Sequence, residues 1–315
     1  MAVLIALIPS FCWGSIGLLS AKFGGNSSQQ TLGLTFGGLF FGVLTYLFWV
    51  LPHSYVMNAQ ILIIGLISGI LWTVGQGFQF VAIKSMGVSR AVPLSMTSQI
   101  VGNALLGGAV LGEWQQGSQW LIGIIAIALI VLGAVWIQAK DSGSATEEHN
   151  GKGGWLSLAL STLGFLGYFI VPKLFQQWLH VPASIISAGN GVDYMITIIF
   201  PQSIGMVIGG FLFVFWITHE TKEMVNHATL KNMITGFVWA IGNVALFVSI
   251  ANPHLGQAVA STLSSLGFIV GAFGGVFLLH EQKTSRQMRF IIAGTLLALL
   301  GAVMISNLNY FTQLI

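Results

Sequence analysis

Apolar residues run through this chain in long blocks, and polar residues gather in short clusters between them. No charged residue interrupts Met1 to Ala21, Phe23 to Ile83 or Ala91 to Gly112. A helix that crosses a bilayer needs about 20 mainly apolar residues. Ten segments have that length: 2–20, 31–51, 61–83, 91–112, 119–138, 154–174, 195–217, 233–251, 257–279 and 288–307. Turn signals such as Gly24-Gly25-Asn26, Pro52-His53 and Asn252-Pro253 separate them. The pattern predicts an all-α, polytopic membrane protein of ten transmembrane helices. The longest polar stretch, residues 139–153, reads as a solvated cytoplasmic linker between two five-helix units, 1–138 and 154–315.

Composition excludes a soluble globule. Of 315 residues only 6% are charged and 55% are hydrophobic, whereas soluble domains carry about 25% charge. The 40 glycines suit closely packed membrane helices. The single cysteine, Cys12, excludes a disulfide framework and a cysteine-held metal cluster. No Walker spacing is present. No cofactor and no nucleic-acid partner are expected.

Charge placement orients the chain. The termini and the loops after helices 2, 4, 6 and 8 carry one basic residue, Lys173. The remaining ten of the 11 Lys and Arg flank the other loops, among them Lys22, Lys84, Arg90, Lys222 and Arg289. Basic loops stay in the cytoplasm, so both termini are expected outside the plasma membrane.

The halves resemble each other. Trp72-Thr73-Val74-Gly75-Gln76 matches Trp239-Ala240-Ile241-Gly242-Asn243 at an offset of 167, and Phe80 matches Phe247. At an offset of 168, Glu113 matches Glu281, and Leu132-Gly133-Ala134-Val135 matches Leu300-Gly301-Ala302-Val303. Ala21-Lys22 pairs weakly with Pro172-Lys173. Five helices per half is an odd number, so the halves must be inverted. Inverted repeats are typical of secondary transporters that bind substrate near the midplane.

Polar residues inside membrane helices are costly and therefore informative. Trp72, Gln76 and Gln79 share one face of helix 3, and Trp239 and Asn243 repeat that face in helix 8. Helix 4 contributes Ser95, Ser98, Gln99 and Asn103, helix 9 contributes Ser261, Thr262, Ser264 and Ser265, and helix 1 contributes Ser10 and Trp13. Such a lining suits a neutral sugar, whose hydroxyls pair with amides and whose apolar face stacks on indole. The candidate substrate contacts are Trp13, Trp72, Gln76, Gln79, Gln99, Asn103, Trp239 and Asn243. Each polar group also has a structural reading, as a hydrogen bond between helices. Asp193, Glu113 and Glu281 are candidates for proton coupling or gating, against the plainer reading of helix-end residues. Helices 5 and 10 lack the polar stripe, which places them at the periphery, available for a homodimer contact. An intramembrane enzyme would need an acid/base pair or metal ligands inside the bilayer, and the spans contain neither.

Pro9-Ser10-Phe11-Cys12-Trp13-Gly14, Gly75-Gln76-Gly77-Phe78-Gln79, Val92-Pro93-Leu94-Ser95 with Gly107, Leu111-Gly112-Glu113-Trp114 and Leu279-His280-Glu281 carry a family likeness. The chain resembles the bacterial glucose/ribose porters, the sugar uptake proteins of the drug/metabolite transporter superfamily. The resemblance implies uptake of a monosaccharide, glucose or ribose, with the proton as candidate coupling ion. The same superfamily includes exporters of amino acids, nucleosides and drugs, which is the alternative reading.

Overall fold

The computed structural model describes residues 2–86, 88–137, 151–252, 255–278 and 283–313, and among these it is helical with no strand. In chain order the helices are α1 (Ala2–Phe23), α2 (Ser27–Thr45), α3 (Ala59–Met86), α4 (Val88–Leu105), α5 (Gly117–Ile137), α6 (Gly151–Trp178) and the short α7 (Ala183–Ile186). There follow α8 (Val192–Phe213), α9 (His227–Ala251), α10 (Gly256–Ser265), α11 (Gly267–Phe277), α12 (Ser285–Ser306) and the short α13 (Leu308–Thr312).

The chain is a multi-pass membrane protein, and among the described residues eight helices are long and apolar enough to cross a bilayer. Two of the ten expected segments fall outside that set. Segment 91–112 is helical, but Ser95, Thr97, Ser98, Gln99 and Asn103 make α4 less apolar than the others. Segment 257–279 is divided into α10 and α11 at Leu266. The neighbouring Gly267 rests on the backbone of α1, where a Cβ would lie 2.6 Å from the Ser10 carbonyl oxygen. That contact holds the chain between two short helices that a hydropathy pattern reads as one.

Asparagines start the two central helices in the same way. The Asn58 side chain accepts the Ile61 N–H at 3.0 Å at the head of α3. Asn226 accepts the Ala228 and Thr229 N–H groups at the head of α9, satisfying donors that no helical carbonyl can reach. Likewise α2 and α8 both end in a π-helical turn, Tyr46–Val50 and Val214–Thr218. These pairs of features recur at the 168-residue spacing read from the sequence.

Helix pairing has the same correspondence. Helix α3 packs on α6 and α8, and α9 packs on α1 and α2. Helix α4 packs on α6, while α1 packs on α10 and α11. Across the halves, α2 meets α8, α5 meets α12, and α4 meets α10 and α11. Glycine permits the closest approaches. A Cβ at Gly69 of α3 would lie 2.0 Å from the Gln202 carbonyl oxygen of α8, and one at Gly37 of α2 would lie 2.0 Å from that of Met233 in α9. Helices α5 and α12 meet through Gly133 and Gly294 and leave their outer apolar faces exposed.

Two ends of the bundle follow from cross-chain bonds. At one end Lys84 meets Glu220 at 3.4 Å, Ser28 donates to the same carboxylate at 2.9 Å, and Asn232 donates to Gly24. At the other, Gln60 donates to the Leu179 carbonyl at 2.6 Å, and Tyr55 hydrogen-bonds Asp193. We refer to these as the Lys84 end and the Tyr55 end.

Candidate substrate cavity

A cavity lies part-way along the bundle, lined from α1, α3, α4, α6 and α9. Its free volume is about 30 Å³, room for a water molecule or two but not for a whole sugar ring in this conformation. The polar wall is a hydrogen-bonded chain of side chains. Gln76 Nε2 donates to Gln79 Oε1 at 3.0 Å, and Gln79 Nε2 donates to Ser95 Oγ at 2.9 Å. Gln99 Nε2 donates to the same Ser95 Oγ at 3.2 Å. All four residues are buried. A chain of amides bridging α3 and α4 fixes its own geometry and presents several groups able to donate or accept.

Aromatic side chains make up much of the remaining lining. Trp72 and Trp239 touch with ring centroids 4.5 Å apart and an interplanar angle of 53°. At that spacing no sugar ring fits between them, so stacking must use another indole face. Trp13 is held by its Nε1 donating to the Trp239 carbonyl at 3.2 Å, and it also leans on Phe169. Phe165, Tyr168 and Phe169 of α6 complete the wall. Ile16 and Met96 add aliphatic surface. Every one of these lining side chains is uncharged.

The structure thus brings Trp13, Trp72, Gln76, Gln79, Gln99 and Trp239 around one cavity. It places the other two candidate contacts elsewhere. Asn243 is fully buried behind the lining, where its Nδ2 donates to Gln202 Oε1 at 2.8 Å and its Oδ1 accepts from the Tyr168 hydroxyl. Gln202 Nε2 in turn donates to Ser68 Oγ at 2.8 Å, and Ser68 donates to the Tyr168 carbonyl. This second network ties α3, α6, α8 and α9 together. Asn103 is also buried, outside the cavity lining, and its amide has no hydrogen-bond partner among the described residues. Of the helix 9 residues, Thr262 and Ser264 are buried and stand outside the lining too.

Among the described residues, the candidate carboxylates Asp193 and Glu113 stand outside the cavity lining. Asp193 opens α8 at the Tyr55 end and lines a separate pocket with Ser54, Tyr55, Ser184 and Thr197. Loss of solvent, then the hydrogen bond and charge of Asp193, push the Tyr55 phenol up from its ordinary value. The phenol therefore stays protonated at neutral pH and donates to the carboxylate. Glu113 follows the π turn Leu106–Val110 at the end of α4, its N–H donating to the Gly107 carbonyl at 3.1 Å. Glu281 lies outside the described residues.

Phe165, Phe169, Ile16 and Met96 escaped sequence reasoning. In an apolar helix, Phe165 and Phe169 at i and i+4 look the same whether they face lipid or a cavity. On α6 the sequence offered Ser161 and Tyr168, hydroxyls inside an apolar run, and of the two Tyr168 lines the cavity.

Comparison with known proteins agrees with this architecture. A family model described as "Sugar transport protein" matches residues 4–308. A chain of Lactiplantibacillus plantarum named for sugar uptake is 38% identical over 310 residues, covering 97% of this chain and 99% of that one. The glucose uptake protein GlcU of Bacillus subtilis is 36% identical over 305 residues, covering 96% and 97%. One crystal structure superposes with a TM-score of 0.60 at 14% identity, covering 96% of this chain and 98% of that one, which shows a shared fold. By family and by length of match, the chain belongs to the bacterial sugar transport proteins, a family of membrane transporters and not of enzymes.

Proposed function

We propose that this protein imports a neutral monosaccharide, glucose or ribose, across the bacterial plasma membrane by alternating access. The observation that carries the reading is the uncharged cavity lined by the amides of Gln76, Gln79 and Gln99 and the indoles of Trp13, Trp72 and Trp239. Sugar hydroxyls exchange hydrogen bonds with Gln76, Gln79 and Gln99, and the ring's apolar face packs on an exposed indole face. An amino acid or cationic drug would need a countercharge in that cavity, since a buried unpaired charge is costly. The names of the relatives point to the same substrate class.

Ten spans in two inverted units, 1–138 and 154–315, account for the matched helix pairings, the matched asparagine caps and the matched π turns. In this reading α10 and α11 together form one span, α4 another, and the moving bodies follow the packing, α3 with α6 and α8 against α9 with α1 and α2. The basic Lys84 end faces the cytoplasm and both termini face outside. No carboxylate lines the cavity. If a proton is coupled, it therefore travels through Asp193, Glu113 or Glu281 and not through a group touching the sugar.

Tryptophan fluorescence tests the reading, because Trp13, Trp72 and Trp239 line the cavity. Titration of the purified protein with a panel of neutral monosaccharides is expected to give a saturable change for glucose or ribose. That change should shrink in Trp72→Phe. A saturable response to amino acids or nucleosides, with none to any sugar, would assign the exporter function instead.

A further inference from the structure

The pocket at the Tyr55 end is roomier than the cavity among the amides. Its free volume is about 240 Å³, against about 30 Å³ for the central cavity. A liquid water molecule takes about 30 Å³. The pocket therefore has room for one monosaccharide, which the central cavity in this conformation has not. Three elements build it. The loop before α3 brings Ser54 and Tyr55, the short α7 brings Ser184, and the start of α8 brings Asp193.

The local fold holds these groups in place. Gly189 and Gly191 take positive φ, +55° and +87°, in the turn that leads into α8. A Cβ at Gly189 would lie 2.7 Å from Asp193 Oδ1, so the turn can pack on the carboxylate only without a side chain there. Asp193 stands in the first turn of α8, where backbone N–H groups favour negative charge. The Tyr55 ring stacks on His53 with centroids 5.3 Å apart, and His53 stacks on Trp49 at 5.1 Å. His53 Nδ1 also lies 2.8 Å from the Trp49 carbonyl oxygen. Two other hydroxyls of the lining are already engaged. Thr197 donates to the Asp193 carbonyl at 2.7 Å, and the buried Tyr194 donates to the Pro172 carbonyl at 2.7 Å.

The mixture of groups selects the ligand class. A bare metal cation needs several oxygens closing tightly around it, and this pocket is wide and holds one carboxylate. An ammonium ion offers donors only, so it would satisfy Asp193 and leave the serine O–H groups without an acceptor. A polyol offers both. Its hydroxyls donate to the carboxylate in charge-assisted bonds and accept from Ser54 and Ser184, while its apolar face packs on the Tyr55 ring.

We infer that this pocket is a second, peripheral site for a neutral monosaccharide, where the sugar docks at the outer face before the central cavity opens to it. The inference rests on the sugar-import reading, with the Tyr55 end outside.

The test uses purified full-length protein in lipid nanodiscs, with Cys12→Ala and the pocket reporter Ser184→Cys. Maleimide modification is timed with and without glucose, ribose or ethanolamine. At about four times its Kd, glucose or ribose should slow the reaction about five-fold, the factor 1 + [L]/Kd. A control reporter, Ser187→Cys, is exposed and outside the lining and should not be protected. Protection should persist in Gln79→Leu, which weakens the central site. Asp193→Asn keeps the shape and removes the charge, and should raise the half-protecting concentration about ten-fold. Ala188→Leu fills the space and should do the same, so the result does not hang on one variant's folding. No protection by a sugar that the protein transports would overturn the site and leave the import reading standing. Protection by ethanolamine alone, loss of protection in Gln79→Leu, or protection unchanged in both Asp193→Asn and Ala188→Leu would also overturn it. Failure of the import reading shows separately, as absence of sugar uptake into proteoliposomes.

Discussion

Asn243→Ala is expected to unfold the protein at a lower temperature, in contrast to its repeat partner. Asn243 donates to Gln202 and accepts from Tyr168 in a fully buried network. Alanine leaves the Gln202 oxygen and the Tyr168 hydroxyl without partners. Two stranded groups cost about 2–4 kcal/mol together. Thermal unfolding in detergent should show the loss, and sugar transport should fall with the folded fraction. Gln76→Ala should behave in the opposite way. Gln76 stands at the end of the cavity chain and gives up one bond, to Gln79. Its melting temperature should stay near that of the parent while sugar affinity weakens. If Asn243→Ala melts like the parent, the second network does not hold the four helices together.

Gln79→Leu is expected to give the larger loss of transport. Gln79 accepts from Gln76 on its own helix and donates to Ser95 on α4. Leucine fills much the same volume but removes both bonds. Gln76 then loses its orientation, and the sugar meets an apolar surface where it would meet an amide. A site built to hydrogen-bond hydroxyls discriminates strongly once its own polar groups are misplaced. KM for the preferred sugar should rise about 10- to 100-fold, equivalent to about 1.4–2.8 kcal/mol. Melting should fall only modestly, because Ser95 keeps its bond from Gln99 and Gln76 is the one group left without its partner. An unchanged KM would remove the α3–α4 amide chain from the binding site.

The contrast between Gln76 and Asn243 shows where sequence reasoning reached its limit. Periodicity placed Trp72, Gln76 and Gln79 on one helix face, and they do share a cavity wall. Repeat symmetry extended the inference to Asn243. The structure instead places Asn243 behind the lining, where Gln202 of α8 and Tyr168 of α6 capture it. Helices α3 and α9 make corresponding pairings, yet an amide of α3 lines the cavity while that of Asn243 in α9 does not. For Asn103 the helical stripe was read correctly as buried, but a stripe has width, and its edge falls outside the lining. The break between α10 and α11 was not legible, since no proline marks it. It arises from the approach of Gly267 to Ser10 and Gly14 of α1, a contact between residues more than 250 positions apart. The all-helical membrane architecture was legible because the bilayer imposes one rule on every span, whereas site geometry depends on which helices meet.

Uptake of radiolabelled neutral monosaccharides into proteoliposomes tests the central claim most directly. The account predicts saturable, protein-dependent uptake of glucose or ribose, inhibited by other neutral sugars and unaffected by charged amino acids. Absence of uptake or counterflow for every neutral sugar, from protein that is folded and inserted, would contradict it.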